Sequence, residues 1–336
     1  MERKLAHIER VLSVDSIEGA DRIECLSILG WKCVAQKGQF KKDDLVVFIE
    51  PDAIVPSRPE FDFLSPSYRI KTRRFKKQIS QGVCFPLSII DNNPDIWGKY
   101  SLGDDVSSIL NIQKYVPYIP AHLAGVVKGN FPEFLHKSDE ERIQNVPGVL
   151  ESWKGFWFLV TEKVDGTSFT CYLKDREFGV CSRNQELKET DENLYWKIAK
   201  ELQLKEKLEK LNGNFALQGE IIGNGVQGNK YKLENVQLKL FNIFNIDSGK
   251  YLDQDEFVRK VGWLGLDTVP LLDQVCLDHN VEQLVELSKG NSKLNKQVPR
   301  EGIVLRPEHE MYDEDLRGRL SFKVINPEFL LKFDSE

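Results

Sequence analysis

The sequence predicts an α+β protein: a small all-β barrel at the N-terminus, followed by a larger domain of antiparallel sheets with flanking helices. Three observations carry that expectation. Residues 5–90 hold short apolar runs (HIERVLSV, DRIECLSIL, WKCVAQKG, DDLVVFIEP, GVCFPLSII) broken by Gly, Asp-Asp and Pro, the pattern of a barrel built from short strands. Around residues 115–133 the chain becomes rich in Pro and Gly (YVPYIPAHLAGVVKGNFPEF), a composition that breaks regular structure and marks a boundary. From residue 153 onward strand-like runs (GFWFLVTEK, SFTCYL, FGVCS, FALQGEII, LKLFNIFNI, EGIVLRP, LSFKVI) recur with helical segments between them.

Length agrees, because 336 residues is more than one domain usually needs. We expect residues 1–120 and 121–336 as the two domains. The clearest helix is ETDENLYWKIAKELQLKEKLEKLNG, where Leu194, Ile198 and Leu202 recur every four residues and Gly213 closes the run.

Composition limits function more than it directs it. Hydrophobic residues make up 41% and charged residues 29%, which fits a folded chain rather than a disordered one. The net charge of −6 supplies no global basic field, so contact with nucleic acid must use local clusters. One such cluster is RIKTRRFKK at 69–77, with six positive charges in nine positions; most charge runs are merely a solvated face, but on a small barrel we read Arg73, Arg74 and Lys76 as holding a phosphate backbone. The six cysteines are scattered without a C-x-x-C pair and read as reduced thiols. The five histidines show no metal-ligand spacing, and none is assigned to catalysis. Neither a signal peptide nor a run of ~20 apolar residues is present, so the cytoplasm is expected, or the nucleus in a eukaryote.

The chemistry centres on Thr161-Glu162-Lys163-Val164-Asp165-Gly166-Thr167. Lys-x-Asp-Gly alone arises by chance in roughly one chain of this length in ten, and its plain reading is a hairpin with Asp-Gly at the turn. The ordered set around it changes the reading: Arg183 in CSRN, Glu220 ending a strand, Phe241 in LKLFNIF, Glu301 opening EGIVLRP and Lys323 in LSFKVIN. These residue types suit attack of a lysine amine on the α-phosphorus of ATP with loss of pyrophosphate. An amine with a pKa near ~10.4 must be shifted down to act at neutral pH, and Lys323 or a bound Mg²⁺ or Mn²⁺ would do that through like charge. Asp165, Glu220 and Glu301 would hold the metal, largely through its waters. Lys323 would also meet the α-phosphate, and Phe241 offers an apolar face to adenine.

At these positions the chain resembles the covalent nucleotidyltransferases, the polynucleotide ligases and capping enzymes with their ATP-grasp-like ligase domain. Lys163-Val-Asp-Gly is similar to motif I, Glu220 to the third motif, Phe241 to the aromatic motif after it, Glu301-Gly302 to the fourth and Lys323 to the fifth. TEKVDGTSF is similar to the RNA-ligase branch, and the resemblance implies that Lys163 is adenylylated and that Glu162 helps read adenine. It further implies that Val164, Thr167 and Ser168 lie near the AMP and that Arg183 contacts the nucleotide, although a single Arg near a strand end is more often a surface salt-bridge partner. The first-domain strings SIEGADRIE, GWKCVAQKGQF and ISQGVCFPLS resemble the N-terminal OB module of the Deinococcus/Naegleria-type RNA ligases, and FPEFLHKSDEERIQNVP the start of their catalytic domain. There Arg142 is the candidate for steering pyrophosphate, beside the plainer reading of a cap or salt bridge in an acidic helix. Only 13 residues follow Lys323, which leaves an N-terminal accessory domain as the expectation.

Two positions depart from the family pattern: Ile325 stands where many RNA ligases carry a second lysine, and Ser168 where many carry Asn. The segment Gly223-Asn-Gly-Val-Gln-Gly228 fits G-x-G-x-x-G formally, but NKYKLENVQLKLF offers no helix after it, so a loop beside Glu220 is expected. The expected function is an ATP-dependent RNA ligase, a monomer, that seals 3′-hydroxyl and 5′-phosphate ends, especially nicks in duplexes with an RNA 3′-hydroxyl strand. The alternatives are a GTP-using capping-type enzyme and a non-catalytic OB-fold protein that binds nucleic acid.

Overall fold

The computed structural model describes residues 4–91, 99–115 and 126–333. The chain divides into two compact units, one of residues 1–118, 143–147 and 327–336, the other of residues 119–142 and 148–326. The expected boundary at 120/121 lies outside the described residues.

The first unit is an OB-fold half-barrel. Its strands β1 (Ala6–Ser16), β2 (Ile23–Ile28), β3 (Trp31–Gln36) and β4 (Leu45–Ile49) are followed by a short hairpin of β5 (Arg73–Phe75) and β6 (Gln78–Ser80), then β7 (Val83–Pro86). The main sheet runs β3-β2-β1-β4-β7, antiparallel throughout. The register between β1 and β2 shifts between Val11 and Ser13, a bulge of the kind that lets a long strand bend and serve both sides of a barrel. Ile8, Val47 and Ile49 pack with Val55, Phe61 and Val106 on one side, and Val11, Leu26, Trp31 and Phe48 on the other. Arg73, Arg74, Phe75 and Lys76 on the β5–β6 hairpin are all exposed.

In the second unit the strands are β8 (Val127–Asn130), β9 (Glu141–Arg142), β10 (Trp157–Lys163), β11 (Thr167–Lys174), β12 (Glu177–Cys181) and β13 (Gln185–Leu187). Helices α1 (Leu194–Glu201) and α2 (Leu204–Glu209) come next, followed by β14 (Phe215–Ile222), β15 (Gln237–Asn245) and β16 (Lys250–Tyr251). Helix α3 (Gln254–Trp263), β17 (Leu271–Cys276), α4 (Val281–Ser288), β18 (Gly302–Pro307) and β19 (Phe322–Ile325) follow, while a short helix at Gly148–Ser152 and a small hairpin of Tyr312–Asp313 with Gly318–Arg319 stand outside the two main sheets. The strands form two sheets, a seven-stranded one ordered β8-β13-β12-β11-β14-β15-β16 and a five-stranded one ordered β9-β19-β18-β10-β17. Helices α1, α2 and α3 cover one face of the larger sheet, burying Trp196, Ile198, Leu204, Leu208, Phe257 and Val261 against Phe169, Leu217 and Ile243.

Three expectations are corrected here. The single helix over ETDENLYWKIAKELQLKEKLEKLNG is two, because Gln203 takes a left-handed conformation (φ +51°) and breaks the ladder. Arg142 sits in a two-residue strand paired in parallel with β19, not in an acidic helix. Lys163-Val-Asp-Gly is no hairpin, because β10 and β11 belong to different sheets and the motif is the crossover between them. The six cysteines are free, four of them buried, and among the described residues no helix is long and apolar enough to cross a membrane.

Gly82 leads into β7 at φ +84°, where an added Cβ would lie 2.5 Å from the Phe48 ring and 2.7 Å from the Ile49 carbonyl oxygen. Strain and overlap act together there, so Gly82→Ala should destabilise the first unit by about 2–4 kcal/mol. Chemical denaturation read by tryptophan fluorescence checks it, since Trp31 is buried in that core; an unchanged midpoint would contradict the packing.

Candidate active site

Strand β10 delivers the lysine. Phe158, Val160 and Glu162 alternate into the interior and the odd residues take the opposite face, so Lys163 emerges at the strand's end on the less buried side. Its register partner on β18 is Gly302, where a Cβ would fall 2.3 Å from the Val324 carbonyl oxygen; glycine is therefore required for β18 and β19 to approach. One residue earlier, Glu301 accepts a hydrogen bond from Lys163 Nζ at 2.6 Å. Asn326 fixes the backbone there, its N–H donating to the Glu301 carbonyl and its side-chain amide to that of Arg300.

The crossover after Lys163 is held as tightly. Val164 is buried, the Asp165 N–H donates to Tyr231 Oη at 2.8 Å, and the Asp165 carboxylate pairs with Lys230 at 2.8 Å. At Gly166 a Cβ would meet the Ile221 carbonyl oxygen at 2.2 Å, so the chain passes directly over β14. Ser168 then stands opposite Glu220 in the β11–β14 register, and Thr167 Oγ1 hydrogen-bonds Tyr195 Oη at 2.7 Å. Lys230, Tyr231 and Tyr195 were not marked by sequence reasoning. Lys230 and Tyr231 lie in the loop that begins GNGVQG, which is a run of turns beside Glu220.

Charge dominates this corner. Burial alone would lower the Lys163 pKa, but Glu301, Glu220 and Asp165 outweigh it and hold the ammonium above the ordinary lysine value. This reverses the sequence-based expectation of a depressed pKa, because the nearest charges are carboxylates. The carboxylates show the complementary strain. Burial, reinforced by Glu301 and Asp165 and opposed by Lys163 and Arg183, pushes Glu220 up to about 8; burial and Glu301 raise Asp165 to about 6 against Lys230 and Lys163.

The remaining residues fall into two groups. Glu162 is buried, which raises its pKa; its oxygens accept from the Ser292 hydroxyl and the Lys293 N–H, so it anchors the loop before β18. Phe241 is the extra residue of a bulge on β15, since Gln218 pairs Asn242 and Gly219 pairs Leu240. Its carbonyl accepts from Arg306 of the other sheet, and a bulge of this kind re-aims a side chain. Arg183, just after β12, and Lys323, on β19, converge on Asp139, at 2.6 and 3.3 Å. Arg142 is buried and stands opposite Lys323 in the β9–β19 register.

Among the described residues no three carboxylate, histidine or cysteine side chains converge as a preformed metal site. The donor set nevertheless fits a hard divalent cation held through water. Glu301 Oε2 is buried without a hydrogen-bond partner, and burial together with the neighbouring carboxylates disfavours the charged forms of Glu220 and Asp165, a cost that such an ion would relieve.

Comparison with known proteins follows the same lines. The RNA ligase family model matches residues 157–325, and an OB-fold domain model matches residues 5–87. No curated protein sequence matches. Among solved structures the chain is similar to Naegleria gruberi RNA ligase: a variant with AMP and Mn is 39% identical, with 99% of this chain and all of that one covered and a TM-score of 0.89. A variant with ATP and Mn gives the same values. The form with pyrophosphate is 38% identical, covers both chains fully and also has a TM-score of 0.89.

A buried acid with a raised pKa favours the fold when protonated. From the ordinary value of 4.5 up to about 8 the folded state holds a proton that the unfolded state has lost, so stability falls as pH rises through that window. Glu220→Gln removes this dependence. It should melt higher than wild type at pH 8.5, by roughly 2–4 °C for each kcal/mol regained, and match it near pH 4.5; equal melting temperatures at both would contradict the electrostatics.

Proposed function

The chain belongs to the RNA ligase family, and from that premise we propose that it joins RNA ends at the expense of ATP through a lysyl–AMP intermediate on Lys163. The observation that carries this reading is the Lys163 amine, 2.6 Å from Glu301 at the crossover between two sheets, with Glu220 and Asp165 close enough to bias its proton. In the first step Nζ forms a bond to the α-phosphorus, the bond to pyrophosphate breaks, and the ammonium protons are lost. AMP then passes to a 5′-phosphate end. A 3′-hydroxyl attacks that end and AMP departs. Each step is a displacement at phosphorus, where positioning and charge neutralisation supply most of the rate.

Within this reading ATP and Mg²⁺ or Mn²⁺ are the cofactors, supported by the ATP, AMP and Mn complexes of the Naegleria ligase. A divalent ion bound by Asp165, Glu220 and Glu301 would neutralise the charges that keep Lys163 protonated. Glu301 takes the proton or passes it to solvent as the amine becomes a nucleophile. Lys323 and Arg183 bind the α-phosphate, Arg142 steers pyrophosphate, and Phe241 faces adenine with Val164, Thr167 and Ser168 nearby. Glu162 supports the adenine side by holding the Ser292 hydroxyl and the Lys293 N–H. The substrate is a nick in a duplex with an RNA 3′-hydroxyl strand, acted on by a monomer in the cytoplasm or nucleus. The exposed Arg73, Arg74 and Lys76 meet its phosphates.

Incubation with ATP labelled at the α-phosphate should put acid-labile label on the wild-type protein and none on Lys163→Ala, with labelled GTP inert. Label surviving in the alanine variant would move the nucleophile elsewhere. Neutralising Arg73, Arg74 and Lys76 together should lower the log–log salt dependence of nicked-duplex binding by about 3 while self-adenylylation continues. An unchanged slope would remove the hairpin from the interface.

A further inference from the structure

Asp139 is claimed by no step above, yet it touches two of the groups that the proposed reaction uses. Its Oδ2 accepts from Arg183 Nη2 at 2.6 Å and its Oδ1 from Lys323 Nζ at 3.3 Å. Those cations come from different sheets, Arg183 just beyond β12 and Lys323 from β19. One carboxylate bridging two cations from separate sheets does what a phosphate with two free oxygens would do. We propose that Asp139 is a built-in substitute for the nucleotide's α-phosphate, which holds Arg183 and Lys323 together in the free protein and gives way when the phosphate arrives. The inference rests on the reading of Arg183 and Lys323 as phosphate ligands.

The surroundings suit a side chain that can leave while its backbone stays. The next residue, Glu140, is locked by Arg306 at 2.7 Å, with both partners largely buried. Beyond it, Glu141 and Arg142 pair with Phe322 and Lys323 in β9–β19. On the N-terminal side Gln218 Nε2 donates to the His136 carbonyl oxygen at 2.7 Å. The main chain is therefore tied on both sides of Asp139. Its side chain is 46% exposed, so rotation into water costs little.

The test compares AMP with adenosine, which differ by the phosphate alone, in equilibrium titrations of the full chain after pyrophosphate has stripped any covalent nucleotide. Asp139→Asn should bind AMP about three- to tenfold more tightly than wild type and adenosine equally well, and Asp139→Ala should shift the same way. A purely structural role for Asp139 would move both ligands together, and that result overturns the proposal. So does weaker or unchanged AMP binding in both variants. Arg183→Ala and Lys323→Ala separate the two levels of inference. If they lower the preference for AMP over adenosine while the Asp139 variants leave it unchanged, the substitute role alone fails. If they leave it unchanged, the phosphate reading fails and the proposal with it.

Discussion

The Lys163–Glu301 ion pair is the contact around which the larger unit is arranged. A lysine at the end of a mostly buried strand needs compensating charge, and here it receives more than it needs: Glu301 in contact, with Glu220 and Asp165 close by. Burial first, and the neighbouring carboxylates second, leave Glu220 and Asp165 holding protons to unusually high pH. In the free protein those carboxylates hold the lysine as an ammonium. Under the proposed chemistry this is a safeguard, because the amine would lose its proton and become nucleophilic only when an ion that also serves the nucleotide is present.

Backbone economy makes the arrangement rigid. Gly166, Gly219 and Gly302 each sit where a Cβ would collide with a neighbouring carbonyl oxygen, at 2.2, 2.6 and 2.3 Å. They allow β10 and β11 to part into different sheets while Lys163, Ser168 and Glu220 remain neighbours. Arg306 joins the sheets by donating to the Phe241 carbonyl and to Glu140. This cation links the bulge that re-aims Phe241 to the segment that carries Asp139 and Arg142. Packing elements and proposed functional groups share the same few residues.

Some of this was legible in the sequence and some was not, for identifiable reasons. The strands of both units were readable because their apolar runs are short and end at Gly, Asp or Pro. The helix over 190–213 was read as one because its apolar spacing continues through Leu202 and Leu204, and periodicity does not register the left-handed Gln203 between them. Lys-x-Asp-Gly looked like a hairpin because a turn dipeptide between two strands carries no record of which sheet each strand joins. Lys230, Tyr231, Ser292 and Asp139 were invisible, since each acts through a partner 44 or more residues away and none falls in a local pattern.

The sequence by itself determined the residue types and their order: a lysine, three carboxylates, an aromatic residue and a second lysine on strands of predictable type, after an all-β first domain. Local chemistry sets strand and turn propensity, so this much can be read along the chain. Tertiary structure alone decided the upward direction of the Lys163 pKa shift, the anchoring role of Glu162 and the meeting of Arg183 with Lys323 on Asp139. Each depends on distances of 2.5–3.3 Å between residues far apart in sequence. Electrostatic and hydrogen-bond energies are set by such distances and by burial, and neither exists until the sheets have formed.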